Sequence, residues 1–259
     1  MKLHWESAGE GEGEPVLLIA GLGLPGTSWW RTVPVLARRF RVLTYDHAGV
    51  GRSASVRAPF STTAMATNAL AVLDAAGVSR AHVYGTSLGG LVAQQLATRR
   101  PDRVRSLVLG ATHPGGARAQ PPEREVISFL RRRPTLPPRE AAWAFVPYNY
   151  GARCRREHLD RIVQDIARRL EFPYPRDAYR AQLFAGATHD AFHSLRRLVV
   201  PTLVVHGRED RVIPVRNAEL LAGAIPEADL HLLDETGHIY MTEEPSVDET
   251  IASFLEAQT

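Results

Sequence analysis

The 259-residue chain is expected to fold as an α/β protein: a mostly parallel central sheet of about seven to eight strands, flanked by helices and interrupted by one long insertion. Three observations predict this. Short apolar, β-branched runs alternate with stretches of helical period, the pattern of strand–helix–strand crossovers in a parallel sheet. No low-complexity linker divides the chain, and 44% of its residues are apolar, which is ordinary for one globular unit with a sizeable core. A long stretch without strand character, 112–197, sits between the fifth and sixth strand candidates.

The elements follow in order. Residues 2–7 are the only strand candidate ahead of Val16, so a seven-stranded sheet is expected. The remaining strand candidates are 16–20, 41–45, 81–84, 104–109, 202–206 and 229–233. Helical period appears near 29–39, over 62–76 and over 88–100. In the last of these, Leu88, Leu91, Val92 and Leu96 form one stripe before Pro101 stops the helix. The division expected is a core of 1–111 and 198–259 interrupted by an insertion of 112–197. That insertion is rich in Pro, Arg and aromatic residues, with a break between helices at Gly151 to Arg153.

Three short segments carry chemistry. Gly85-Thr86-Ser87-Leu88-Gly89 is a G-x-S-x-G run set between a strand candidate and a helix candidate. A serine on so tight a strand-to-helix turn takes a strained backbone, and flanking glycines relieve the crowding. Asp210 lies in Gly207-Arg208-Glu209-Asp210-Arg211-Val212-Ile213-Pro214 and His238 in Thr236-Gly237-His238, each just past a strand candidate. A serine hydroxyl is a weak nucleophile until a base takes its proton, and an acid on the far ring nitrogen fixes the tautomer of a histidine base. Any one of these residues alone would read as structural. Together, in the order Ser87, Asp210, His238, they form a nucleophile, an acid and a base. Glu209 is read as an exposed loop residue, and Ser53 and Ser106 lack the strand-to-helix setting.

These residues and their order resemble the α/β-hydrolase fold family over nearly the whole chain. Ala20-Gly21-Leu22-Gly23 matches the place of the family's first oxyanion-hole loop, and Asp46-His47-Ala48-Gly49-Val50-Gly51-Arg52-Ser53 resembles its D-x-R-G-x-G-x-S turn. Two departures stand out: Ala20 replaces a histidine and Ala48 an arginine, so the hydrogen bonds of those side chains must come from elsewhere. The resemblance implies that the backbone N–H groups of Leu22 and Leu88 form the oxyanion hole and that the insertion is a helical cap over the strand ends. Trp29, Trp143, Phe145, Tyr148, Phe184 and Ile239 are then the expected pocket walls. Segments 46–48 and 110–116 look most like the serine esterase and enol-lactonase branch. The activity implied is cleavage of a small-molecule carboxylic ester or lactone through an acyl-enzyme, with no cofactor and no metal. Carbon–carbon bond hydrolases and cofactor-free perhydrolases keep the same three residues and stay open.

Other classes are weighed on their own residues. Gly21-Leu22-Gly23-Leu24-Pro25-Gly26 is a G-x-G-x-x-G run after a strand, with Asp46 where a ribose-binding acid would fall, so a dinucleotide site is the rival reading. Against it, Trp29-Trp30 would crowd a helix start built for pyrophosphate. A P-loop is excluded, because no lysine follows a glycine-rich loop. A non-catalytic binder of this fold would be marked by a lost member of the three, and none is lost. His189 and His193 are spaced for one helix face as metal ligands, but lack a third partner and are read as structural. The net charge is +3, with Lys2 the only lysine. The densest basic run, Arg131-Arg132-Arg133, could attract anionic substrates or nucleic acid but is read as a solvated helix end, so no nucleic-acid partner is expected. The single Cys154, the absence of an apolar run near the ~18 residues of a membrane span and the Glu/Gly-rich start together predict a cytoplasmic protein without membrane association.

Overall fold

A computed structural model describes residues 3–9, 13–53 and 57–259. Seven strands form one sheet in the order β1-β3-β2-β4-β5-β6-β7: β1 (Trp5–Ala8), β2 (Pro15–Ile19), β3 (Arg41–Tyr45), β4 (Ala81–Thr86), β5 (Val104–Gly110), β6 (Thr202–Gly207) and β7 (Asp229–Leu233). Only β1 runs antiparallel, against β3. The sequence-derived β1 began at Lys2, which lies outside the described residues.

The inner strands are apolar because both faces of the sheet are covered. Along β2, Leu17 and Ile19 pack into one core with Leu43, Val83, Leu107 and the helices Thr62–Ala75 and Leu88–Arg99, while Val16 and Leu18 pack into the other with Val42, Tyr84, Leu36, Ile251 and Leu255. Successive side chains of a strand point to opposite faces, so one short run feeds two cores. The edge strand β7 is more exposed.

The helix expected over 29–39 is two pieces, a 3-10 turn Gly26–Trp29 and an α-helix Thr32–Leu36. Pro34 has no N–H to donate, so a helix containing it must begin within the preceding few residues. Residues 112–197 hold the helices Arg124–Arg132, Pro138–Asn149, Ala152–Glu157, Leu159–Glu171, Arg176–Ala187 and Phe192–Leu195. The break falls at Tyr150 and Gly151. Cys154 is buried there with Ala142, Tyr150, Ile162 and Ile166. Among the described residues no helix is long and apolar enough to cross a membrane.

The topology positions the site. After β2 the chain adds β3 on one side and then β4 on the other, so its direction of growth reverses between β2 and β4. Loops leaving adjacent parallel strands at such a reversal diverge and leave a crevice at their carboxyl ends. Ile19 and Gly85 are level in the β2–β4 register, which sets residues 20–24 and 86–88 side by side at the mouth of that crevice.

Candidate active site

Ser87 stands where β4 turns into the helix Leu88–Arg99, with φ 55° and ψ −121°. For a non-glycine residue this is strained, a cost on the order of 1–3 kcal/mol that surrounding structure must impose. The imposing contacts are close. A Cβ on Gly85 would overlap the Gly89 carbonyl, and one on Gly89 would overlap the Ile19 carbonyl. The Ser87 N–H donates to Gly110 O at 2.8 Å, and Thr112 Oγ1 donates to Ser87 O at 2.8 Å. The Leu88 N–H opens the helix, where no carbonyl of a preceding turn can accept it, and helix starts favour negative charge.

Beside it, Leu24 N–H returns to Gly21 O at 3.1 Å, closing a turn whose third residue, Gly23, has φ +69°. A Cβ on Gly21 would lie 3.5 Å from Cβ of Ser87, so this turn borders the serine. The Gly23 N–H is occupied by Gln182 Oε1 at 2.8 Å. Where Ala20 and Ala48 left hydrogen bonds to be supplied, His47 Nε2 meets Ala20 O at 2.9 Å.

Asp210 is saturated. Its Oδ1 accepts from the N–H groups of Val212 and Ile213, both at 2.8 Å, and its Oδ2 accepts from His238 Nδ1 at 2.7 Å. His206 Nε2 lies 3.2 Å from the same Oδ2 and 2.8 Å from Ile213 O. Burial alone would raise this carboxyl; His238 and His206 outweigh it and hold it down at about 2. An ionised Asp210 on Nδ1 keeps that nitrogen protonated, leaving His238 Nε2 as the acceptor. The His238 and Ile239 N–H groups both donate to Asn149 O, at 2.8 and 3.1 Å, and buried Glu243 accepts from the N–H groups of Gly151 and Gly237, both at 2.9 Å.

Ser87 and His238 open onto one cavity of about 500 Å³, which Leu22, Leu88, Trp29, Phe145 and Ile239 also line. The other three aromatics expected in its wall lie elsewhere. Trp143 is exposed, Tyr148 donates to Glu125 at the surface, and Phe184 is exposed against Phe60. Glu209 accepts from Ala152 N–H, at the start of a helix in the insertion. His189 is buried between Thr62 Oγ1 and Gln94 Oε1, while His193 is exposed, so the two share no helix face. Asp46 is consumed by Gly26 N–H and Arg52, and Gly26 packs on the backbone of Tyr45. Those residues build a turn, and both oxygens of Asp46 are spent within it.

Sequence reading missed Asn149, Gln182, Arg133 and Arg169, all on the cavity wall. Only Arg133 had any signal, in the Arg131-Arg132-Arg133 run. Arg131 and Arg132 are exposed as a solvated helix end should be, but Arg133 is 3% exposed and turns inward.

The chain matches the family model of the alpha/beta hydrolase fold over residues 14–149 and 157–245. It is 35% identical over 243 residues to a protein of Azorhizobium caulinodans provisionally named the carbamate hydrolase RutD, covering 92% of this chain and 89% of that one. Among solved structures, the enol-lactonase from Burkholderia xenovorans LB400 superposes with a TM-score of 0.86 at 26% identity, covering 98% of this chain and 96% of that one. A thermophilic esterase from Thermogutta terrifontis gives 0.82 at 29%, covering 99% and 93%. The chain is therefore an enzyme of the α/β-hydrolase family.

Proposed function

We propose that this hydrolase cleaves a carboxylic ester, lactone or carbamate through an acyl-enzyme on Ser87. The observation that carries the reading is the 2.7 Å Asp210–His238 hydrogen bond behind a strained serine that shares its cavity. His238 Nε2 takes the hydroxyl proton as Ser87 Oγ bonds to the carbonyl carbon. The carbonyl oxygen becomes an oxyanion between the N–H groups of Leu88 and Leu22. As it collapses, the bond to the leaving oxygen breaks and His238 hands that oxygen the proton, while Asp210 stabilises the imidazolium. Water, deprotonated by the same His238, then releases the acid. Carbamates join the substrate classes because of the name of the Azorhizobium relative, esters and lactones because of the two structures above.

Residues 112–197 act as the cap of the core formed by 1–111 and 198–259. Phe145, Asn149, Gln182, Arg133 and Arg169 are among the residues this segment brings to the cavity.

The test is a fluorophosphonate, which labels activated serines, followed by intact mass beside p-nitrophenyl butyrate turnover. Wild type takes one label, and Ser87→Ala takes none and loses turnover by on the order of 10⁴–10⁶-fold with its fold intact. Undiminished hydrolysis by purified Ser87→Ala would falsify the assignment.

A further inference from the structure

The charges facing the cavity are unbalanced. Five arginines line it, Arg31, Arg131, Arg133, Arg168 and Arg169, against one carboxylate, Asp165. Asp165 is already engaged: it pairs with Arg31 at 3.2 Å and accepts from Tyr150 Oη at 3.0 Å and Thr242 Oγ1 at 2.6 Å. Arg168 pairs with Glu171. Among the described residues no ion pair involves Arg133 or Arg169.

Arg133 is the more telling of the two. It is 3% exposed, and its Nε has no hydrogen-bond partner. Its guanidinium lies 4.5 Å from the ring centre of Phe145, 5.3 Å from Tyr174 and 5.8 Å from Tyr179. Aromatic faces stabilise a cation without neutralising it, and a buried charge without a counter-ion is costly. Arg169 is also held low, at about 10, first by burial and then by repulsion from Arg133. Both arginines line the one cavity, and among the described residues no carboxylate pairs with either.

The place of Arg133 relative to the serine follows from packing. The ring of Tyr174 sits 3.1 Å from where a Cβ on Gly23 would be, against the turn that borders Ser87. On that same turn, Gln182 spends its Oε1 on Gly23 N–H, while its fully buried Nε2 has no partner and Gln182 lines the cavity. Unpaired donors therefore converge on one side of the oxyanion turn.

Resting on the Ser87 reading above, we infer that the substrate carries a carboxylate besides its scissile carbonyl, bound by Arg133 and Arg169 with Gln182 Nε2 as a further donor. A planar guanidinium offers paired N–H groups that match a carboxylate. In a pocket with this excess of positive charge, the anion also gains from the summed field.

Two readouts separate this site from the chemistry. The first compares mono-p-nitrophenyl glutarate with p-nitrophenyl butyrate, chains of similar reach with and without a terminal carboxylate. Wild type prefers the glutarate ester, and Arg133→Met lowers kcat/KM for it by about 10- to 100-fold while moving the butyrate ester by less than about 3-fold. Arg133→Lys recovers part of the loss. The second, on the inactive Ser87→Ala protein, is calorimetric binding of glutarate, which Arg133→Met in the same background abolishes. No preference for the glutarate ester, equal losses on both esters, or binding of inorganic phosphate but not glutarate each overturns the proposal. If neither ester is turned over and yet glutarate binds through Arg133, the anion site stands and the reaction assigned to Ser87 fails.

Discussion

The two walls of the cavity are built differently. On the sheet side, the groups beside the candidate nucleophile and base are tied down: Ser87 by Gly110 and Thr112, Asp210 by two N–H groups and a histidine ring. On the side of the inserted helices, Arg133 Nε, Gln182 Nε2 and Asn149 Oδ1 are buried without partners, while on the core side open atoms such as Trp29 Nε1 and His206 Nδ1 belong to neither Ser87 nor Asp210. A reacting group must be fixed before substrate arrives, because reorganisation during the reaction costs rate. A recognising group can leave its hydrogen bonds open for the ligand to complete. On the proposed reading, the contrast separates chemistry on the strand ends from selection on the helices.

The sharpest way to break that contrast is Asp210→Asn. It removes the acceptor that fixes the His238 tautomer, so turnover of neutral and carboxylate-bearing esters falls alike, by about 10⁴-fold. Steady-state kinetics on both esters check this, since a loss confined to one would mix the two roles. A smaller but structural effect follows from Gly89→Ala. The new Cβ meets the Ile19 carbonyl, a backbone atom that cannot swing aside, and the protein loses about 3 kcal/mol or more in urea unfolding. Equal tolerance there and at exposed Trp143 would show that the sheet side is less rigid than its contacts imply.

The smallest effect is with pH. Burial pushes Glu243 and Asp248 up to about 7. Folded protein then holds protons that the unfolded chain releases near 4, so their contribution is full below about pH 4 and is lost as pH rises through about 7. Asp210, held down at about 2, has the opposite sign: its contribution is present above about 4 and disappears as pH falls through 2. Stability should therefore decline from mildly acidic to neutral pH, and Asp248→Asn should flatten that slope in thermal melts at stepped pH.

Much of this was legible in the sequence, for physical reasons that vary by residue. The strands could be read because burial on both faces makes them continuous apolar runs, as in β2 and β4. Ser87 and Asp210 could be proposed because each follows such a run, and His238 because it follows the more exposed edge strand β7. The helical wall could not be read, because spacing does not give a helix its rotation. Trp143 and Phe145 are two residues apart in one helix, about 200° around its axis; Phe145 faces the cavity and Trp143 faces solvent. Gln182 and Phe184 repeat the lesson with the chemistry reversed, the amide turned inward and the aromatic outward. Arg133 was hidden in a basic run whose other members behave as such runs usually do.

One feature of the break near Gly151 bears on how such enzymes diversify. The backbone carbonyl of Asn149 receives His238 and Ile239, and Glu243 bridges Gly151 to Gly237. The inserted segment thus supplies part of the socket in which the proposed base is seated. Recombination that swaps this segment between relatives would transplant a piece of the reaction machinery along with the selectivity. Only exchanges that preserve the 149–151 backbone, and an acid opposite it, leave a swapped enzyme free to change its diet without losing its rate.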